Sequence, residues 1–411
     1  MADYIIYTKD LSLQAARAAE PVRVLQRKPL VTDLGCFSVA GSDCAVEEHA
    51  FSSGRGLRVR RPVKAGEAVL TVPLHHCWSA ERARQVPELA SLASLPDEDL
   101  MALHLLLERA KGPTGWNATH LRILPEEYDM TPFWSDSELA RLDGELQATS
   151  RKLATQVQTD FAAIIKTAQG KGEDGMLLQA GIDLESFKWA KATLWSRCTD
   201  LSVKKDAAPQ RFLVPGFDLA NCDQSLPVAF CVSETSVILK AAKDLQEGEE
   251  LCINYGPHPN NHLLLWYGFV IDENPCTSIT IEFPVDAAAA GFLESLGAQM
   301  RDAEPGSGRV TARCQPSFRD PIPCAMLFAA AVCNGICALG QTSLNVEQEL
   351  AALELLTKIL PPASDVQPLP QTLDHRQRCA LVLLTADDRV LATVHSALQR
   401  RRVQLNAKPK K

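Results

Sequence analysis

The chain has 411 residues, 46% of them apolar and 22% charged, with a formal net charge of -8. That length exceeds one ordinary compact core and implies two domains, or one domain with a large insert, while the composition excludes disorder and a long coiled coil. The negative charge argues against a nucleic-acid partner, whose phosphates need a basic face; the locally basic runs "QRRR" and "NAKPKK" read as solvated helix ends and termini.

The 13 cysteines run from Cys36 to Cys379 without a CxxC pair or a Cys-His cluster at zinc-ligand spacing, so no metal site is expected. Cys333 and Cys337 lie one helical turn apart in an apolar stretch and read as packing residues. Free thiols, an opening "MADYIIYTKDLSLQ" without a leader pattern, and no apolar run of membrane-spanning length together imply an intracellular, cytoplasmic setting, with nucleus or plastid left open.

In chain order, residues 1–21 form an extension. "GRGLRVRRPVKAGEAVLTVP" (54–73) predicts two strands joined in a hairpin by a turn at Lys64-Ala65-Gly66-Glu67. From 79 to 110 the period becomes helical, with Leu100, Leu103, Leu107 and Ala110 at three- and four-residue steps; 136–169 and 176–196 are also helical, with Asp136 as the expected N-cap of "SELARL". "SVILKAAKDLQEGEELCINYG" returns to strand, turn, strand, and its "QEGEEL" echoes "KAGEAV" as a second hairpin turn. Strand-rich pieces therefore bracket a helical insert at about 79–211 within a first domain of 22–285. Beyond it, "NVEQELAALELLTKIL" (345–360) and "ADDRVLATVHSALQRRR" (386–402) carry helical stripes, and 286–405 is expected to be an all-α domain. The predicted class is α+β.

Three segments carry candidate chemistry. Gly54 and Gly56 in "GRGL" permit close backbone approach to a ligand, although a lone GxG is a weak signal. In "VPGFDLANCD" (214–223), Asp218 and Asn221 sit among apolar residues and need partners, either as caps of a turn or as ligand holders. In "INYGPHPNNHLLLWYGF" (253–269), Tyr255 and Tyr267 bound a short helix, and each is either a core ring with a satisfied hydroxyl or part of a site.

The order of these segments resembles the Rubisco large-subunit methyltransferase branch of SET-domain proteins. The resemblance runs through "GRGL…KAGEAVLTVP", "LRILPEEYDMTPFWSDSELARLDG", "FKWAKATLWSRC", "VPGFDLANCD" and "EELCINYGPHPNNHLLLWYGF", and it extends into "NVEQELAALELL" and "RQRCALVLL", covering roughly residues 22–400.

That resemblance implies S-adenosylmethionine as cofactor and a protein lysine as methyl acceptor, in a monomer whose C-terminal domain docks a non-histone protein substrate. It puts the backbone of Ser53, Gly54 and Arg55 against the methionine part of the cofactor. Arg197, Asp218, Asn221 and Cys222 surround cofactor and channel, Tyr267 and Phe269 close the walls, and Tyr255 matches the catalytic tyrosine. Two positions depart from the family pattern: Asn221-Cys222 stands where Asn-His is usual, and Thr199 stands two residues past the arginine of "SRC". In histidine-methylating members the second place holds Asn, and in lysine-methylating members often Phe. Histidine methylation and a non-catalytic SET scaffold are the alternatives.

Overall fold

In the computed structural model, which describes residues 45–51, 54–203, 208–302, 310–362, 370 and 372–407, the chain opens with β1 (Val46–Phe51), β2 (Gly54–Val59) and β3 (Ala68–Pro73). Seven helices follow among the described residues: α1 (Ala80–Arg84), α2 (Asp97–Ala110), α3 (Ala118–Ile123), α4 (Asp136–Leu139), α5 (Gly144–Lys171), α6 (Asp174–Gln179) and α7 (Leu184–Arg197). Strands resume with β4 (Cys198–Leu201), β5 (Gln210–Leu213), β6 (Asn221–Cys222), β7 (Phe230–Val232), β8 (Ser236–Lys240) and β9 (Glu250–Ile253), and α8 (Asn260–Tyr267) closes this part. The predicted N-terminal extension lies outside the described residues.

The helical insert forms as its period predicts. On α2, Leu100, Leu103 and Leu107 are buried, whereas Ala110 at the helix end is exposed. With Leu89, Val157, Ile164, Phe187 and Leu194 they make a core of the insert's own, each large side chain contributing roughly 1.5–3 kcal/mol on leaving water. Helix α4 corrects a detail: its N-cap is Ser135, and Asp136 is the first helical residue. The Ser135 hydroxyl accepts from the Glu138 amide while the Glu138 carboxylate accepts from the Ser135 amide, a reciprocal arrangement an aspartate one residue later cannot reproduce. The insert is closed at its base where Trp78 and Leu213 exchange both backbone hydrogen bonds, at 3.0 and 3.1 Å.

Both glycine turns exist, but neither makes a hairpin. Gly66 (φ +82°) and Gly248 (φ +90°) sit in the left-handed region that an L side chain resists. However, β2 pairs with β1 and β9, while β3 pairs with β8, giving sheets of order β1-β2-β9-β6 and β3-β8-β7. Each turn therefore carries the chain from one sheet to the other, and the two crossings lie against each other. Val63 and Leu245 form an antiparallel bridge, Gly66 N–H donates to Ala241 O at 2.8 Å, and Lys64 Nζ and the Ala65 amide reach Asp244 at 2.8 and 2.9 Å. The likeness of "KAGEAV" and "QEGEEL" reflects two equivalent crossings of one β core.

The C-terminal third departs from the all-α expectation. Strands β10 (Ile281–Val285), β11 (Gln299–Asp302) and β12 (Val310–Cys314) form an antiparallel sheet of order β10-β12-β11. It is covered by α9 (Ala287–Ser295), α10 (Cys324–Cys333), α11 (Val346–Ile359) and α13 (Ala386–Asn406); α12 (His375–Leu384) precedes α13 and packs elsewhere. Ile279, Ile281 and Phe283 are buried with Ala312, Met326, Leu353 and Val394 in one core. The sheet therefore takes in 281–285, a stretch expected to belong to the first domain. Of the helical stripe in α11, Leu353 is fully buried, but Val346 at its start is 45% exposed. The class of the whole remains α+β.

Candidate active site

Strand β9 ends at Ile253, and Asn254 to Pro257 turn the chain away, with Gly256 at φ +107°. The turn frees the Tyr255 ring from the ladder. Its phenol donates to the carbonyl of Ala220 at 2.8 Å, immediately before β6. Strand β6 runs parallel to β9, with Asn221 opposite Cys252 and Cys222 opposite Ile253. The Asn221 amide donates to Arg55 O at 2.9 Å and to Glu250 Oε1 at 2.7 Å. Gly56 makes room for this junction, since a Cβ there would lie 2.5 Å from Glu250 Oε1 and 2.7 Å from Asn221 Nδ2. Three distant segments thus meet at the start of β6, the phenol of Tyr255 at Ala220 and the backbone of β2 at Asn221.

A cavity of about 270 Å³ opens beside it, lined by Arg197, Thr199, Asp218, Phe230, Tyr255 and Tyr267 among others. Phe269 adjoins it through its rings' neighbours: Tyr255 and Tyr267 lie 5.0 Å apart by centroid, and Phe269 is 6.3 and 6.2 Å from them. Burial raises the Tyr255 hydroxyl well above the ordinary phenol range, so it stays protonated. Burial raises Tyr267 as well.

Among the described residues, Asp218 is the one enclosed carboxylate of this cavity. Arg197 donates to its carbonyl at 2.7 Å and lies 3.3 Å from its carboxylate, while His120 Nε2 stands 3.2 Å from the other oxygen. Burial pushes the Asp218 carboxyl up, but His120 and Arg197 outweigh it and hold the group below the usual range. On its other side His120 accepts from the Trp78 indole N–H at 2.9 Å. That contact leaves Nε2 as the nitrogen facing the Asp218 carboxylate. His120 and Asp218 side chains are both fully enclosed.

Of the predicted site residues, Arg197, Asp218, Tyr255 and Tyr267 share the cavity, with Phe269 edge-on to the two tyrosine rings. Gly54, Arg55 and Asn221 stand at the neighbouring strand junction and do not line it; Gly54 (φ +128°) has open space where a Cβ would project. Cys222 is half-buried on β6, its thiol raised by burial and partly offset by the Tyr255 amide. Ser53 lies outside the described residues. His120 and Trp78 escape sequence reasoning. Their only signal is a histidine on the apolar face of "THLRIL", which an ordinary core position shows equally well.

Residues 54–256 match the family model of the SET domain, so this stretch of the chain carries a SET domain. Its architecture is similar to solved structures described as the SET domain of LSMT bound to MeLysine and AdoHcy (TM-score 0.56, 19% identity, 90% of each chain covered) and Rubisco LSMT bound to AdoMet (TM-score 0.55, 18% identity, 90% of each covered). Among curated proteins it resembles the actin-histidine N-methyltransferases of Mus musculus, 26% identical over 56% of this chain and 40% of that protein, and of Danio rerio, 24% identical over 64% and 45%. The chain thus spans less than half the length of these curated relatives. No helix among its described residues is long and apolar enough to cross a membrane.

Proposed function

We propose that the chain is an S-adenosylmethionine-dependent protein methyltransferase that modifies a lysine side chain of a non-histone protein docked against the C-terminal unit. The observation that carries this reading is the convergence of the Gly54–Val59 strand, Asn221 and the Tyr255 phenol around one junction, beside a cavity walled by aromatic rings. The donor set fits the cofactor. Arg197 Nε is buried without a partner among the described residues and offers an N–H to a carboxylate; Gly54 leaves its backbone open to a ligand. Arg197, Asp218, Gly54, Arg55, Asn221 and Cys222 would hold it, with Ser53 assigned by family resemblance alone. Tyr267 and Phe269 close the wall.

The bound cofactor supplies a methyl group on a sulfonium, and its transfer to nitrogen is an in-line displacement that needs positioning more than acid or base. Tyr255 suits that task. Its proton is committed to Ala220 O, so the phenol oxygen can accept an N–H of the incoming nitrogen and aim the lone pair. The Asp218 charge is neutralised by Arg197 and leaves no free base. A lysine must therefore enter as the neutral amine, at a cost of about 4 kcal/mol near neutral pH. Enclosure by Phe217, Phe230, Tyr255 and Tyr267 offsets part of that cost by disfavouring the ammonium form.

A second reading, histidine as acceptor, is favoured by the curated relatives and by Thr199 on the cavity wall, whose hydroxyl can bond an imidazole nitrogen. A neutral imidazole needs no deprotonation. Incubation with labelled cofactor and a cell extract, followed by mass spectrometry of the labelled protein, separates the two: methyl on an imidazole nitrogen would overturn the lysine assignment. Calorimetry with S-adenosylhomocysteine tests the enzyme reading itself, since no affinity would leave a non-catalytic scaffold.

A further inference from the structure

The C-terminal unit reaches the wall of the cavity through one helix. His375, the first residue of α12, donates from Nε2 to the carbonyl of Gly268 at 2.8 Å. Gly268 caps α8 in the left-handed conformation (φ +79°) and stands between Tyr267 and Phe269. Its carbonyl belongs to the peptide plane that leads into Phe269, so a bond there sets the direction of that ring. A Cβ at 268 would lie 3.0 Å from the Asp129 carbonyl carbon and 3.1 Å from Met130 N, which leaves the segment no slack on its other side.

The same helix turn is anchored around this point. Arg376 donates to Asp129 at 2.9 Å and to Glu138 at 3.1 Å, and Arg378 pairs with Asp272. Asp129 precedes the α4 region of the insert, and Asp272 follows the Tyr267–Phe269 wall. Beneath them Cys379 and Ala380 of α12 are buried with Leu264 and Leu265 of α8 and with Trp134 and Leu146 of the insert. Helix α12 therefore packs with α8 and the insert, away from the core of its own unit.

We propose that His375 is a positioning residue for the aromatic wall, so that the C-terminal unit completes the cavity as well as offering a docking surface. This deepens the function proposed above and rests on it. A partner that shifts α12 moves the Gly268 carbonyl with it, which couples docking to the shape of the channel.

The test uses the full chain and the variants His375→Ala, His375→Gln and Arg401→Ala. The last breaks the pair with Glu349 that joins α13 to α11 and serves as a control for general loosening of the C-terminal unit. Amide hydrogen exchange of the peptide spanning 267–272 is expected to speed up severalfold in His375→Ala, to return towards wild type in His375→Gln, whose amide can reach the same carbonyl, and to stay unchanged in Arg401→Ala. Transfer of tritiated methyl from S-adenosylmethionine to extract proteins is expected to fall about fivefold to tenfold in His375→Ala, at unchanged S-adenosylhomocysteine affinity and unchanged KM for the cofactor. The inference is overturned by unaltered exchange in His375→Ala, by a loss that His375→Gln fails to recover, or by a turnover loss matched by lost cofactor affinity. A wild-type chain that binds no S-adenosylhomocysteine refutes the proposed function instead, while the exchange measurement still decides whether His375 holds the segment.

Discussion

The side-chain amide of Asn221 donates to the backbone carbonyl of Arg55, 166 residues away in the chain, across 2.9 Å. The same nitrogen serves Glu250 Oε1. Asn221→Asp replaces that donor with a carboxylate facing a carboxylate and a carbonyl, so it is expected to destabilise more than Asn221→Ala, which loses about 1 kcal/mol by leaving two half-buried acceptors unpaired. Urea midpoints for the two variants check the order; equal midpoints would remove Asn221 from the junction.

Gly56 and Gly54 make a contrasting pair. Gly56→Ala forces its Cβ to within 2.5 Å of Glu250 Oε1 and is expected to spread the junction, costing about 1–3 kcal/mol and weakening S-adenosylhomocysteine binding. Gly54→Ala meets no atom within 4 Å, and its penalty comes only from φ +128°. Paired calorimetric and thermal-unfolding measurements should therefore show ligand affinity falling further in the first variant.

Tyr255→Phe keeps the ring and deletes the hydroxyl bonded to Ala220 O. Cofactor affinity is expected to stay near wild type while methyl transfer falls about tenfold or more, a lost hydrogen bond at the transition state being worth roughly 1–3 kcal/mol. Because burial raises the phenol above its ordinary value of about 10, no inflection from Tyr255 should appear in the rate between neutrality and that pH. An alkaline loss of rate that vanishes in Tyr255→Phe would count against this environment.

Asp218 gives the acid limb. Its carboxyl is depressed in the folded state, so the stability it contributes is present above the unfolded value of about 3.9 and is lost as pH falls through the lower folded value. His120→Ala removes one of the two partners, raises the Asp218 carboxyl and orphans the Trp78 N–H, at a cost of roughly 3 kcal/mol. Denaturation profiles between mildly acidic and strongly acidic pH should show the variant losing stability at a higher pH than wild type. Coincident profiles would mean that Arg197 alone sets the carboxyl.

Much of this organisation is legible in the sequence, and the failures have physical causes. The helical insert reads correctly because Leu100, Leu103 and Leu107 repeat on one face, and Tyr255 and Tyr267 can be chosen because glycine follows each of them. Strand pairing fails because a glycine turn specifies local backbone geometry and says nothing of which strand a segment joins; Gly66 and Gly248 each lie where the chain changes sheets. The β10-β12-β11 sheet is not legible in the sequence although Val310, Ala312 and Cys314 alternate, because the strands are short and lie among helices. His120 is invisible for another reason: its partners Trp78 and Asp218 come from segments that meet only after folding.

The two-bond lock between Trp78 and Leu213 shapes how such a chain reaches its native state. Sheets that draw on residues on both sides of a long excursion carry a steep loop-closure penalty if the excursion is still random coil. A helical segment with its own apolar interior can condense first through local contacts, bringing Trp78 and Leu213 within reach. What looks like an interruption of the β core is in that order of events the clamp that presents its halves to each other, so lesions in the Leu100–Leu107 face should slow refolding of the distant strands.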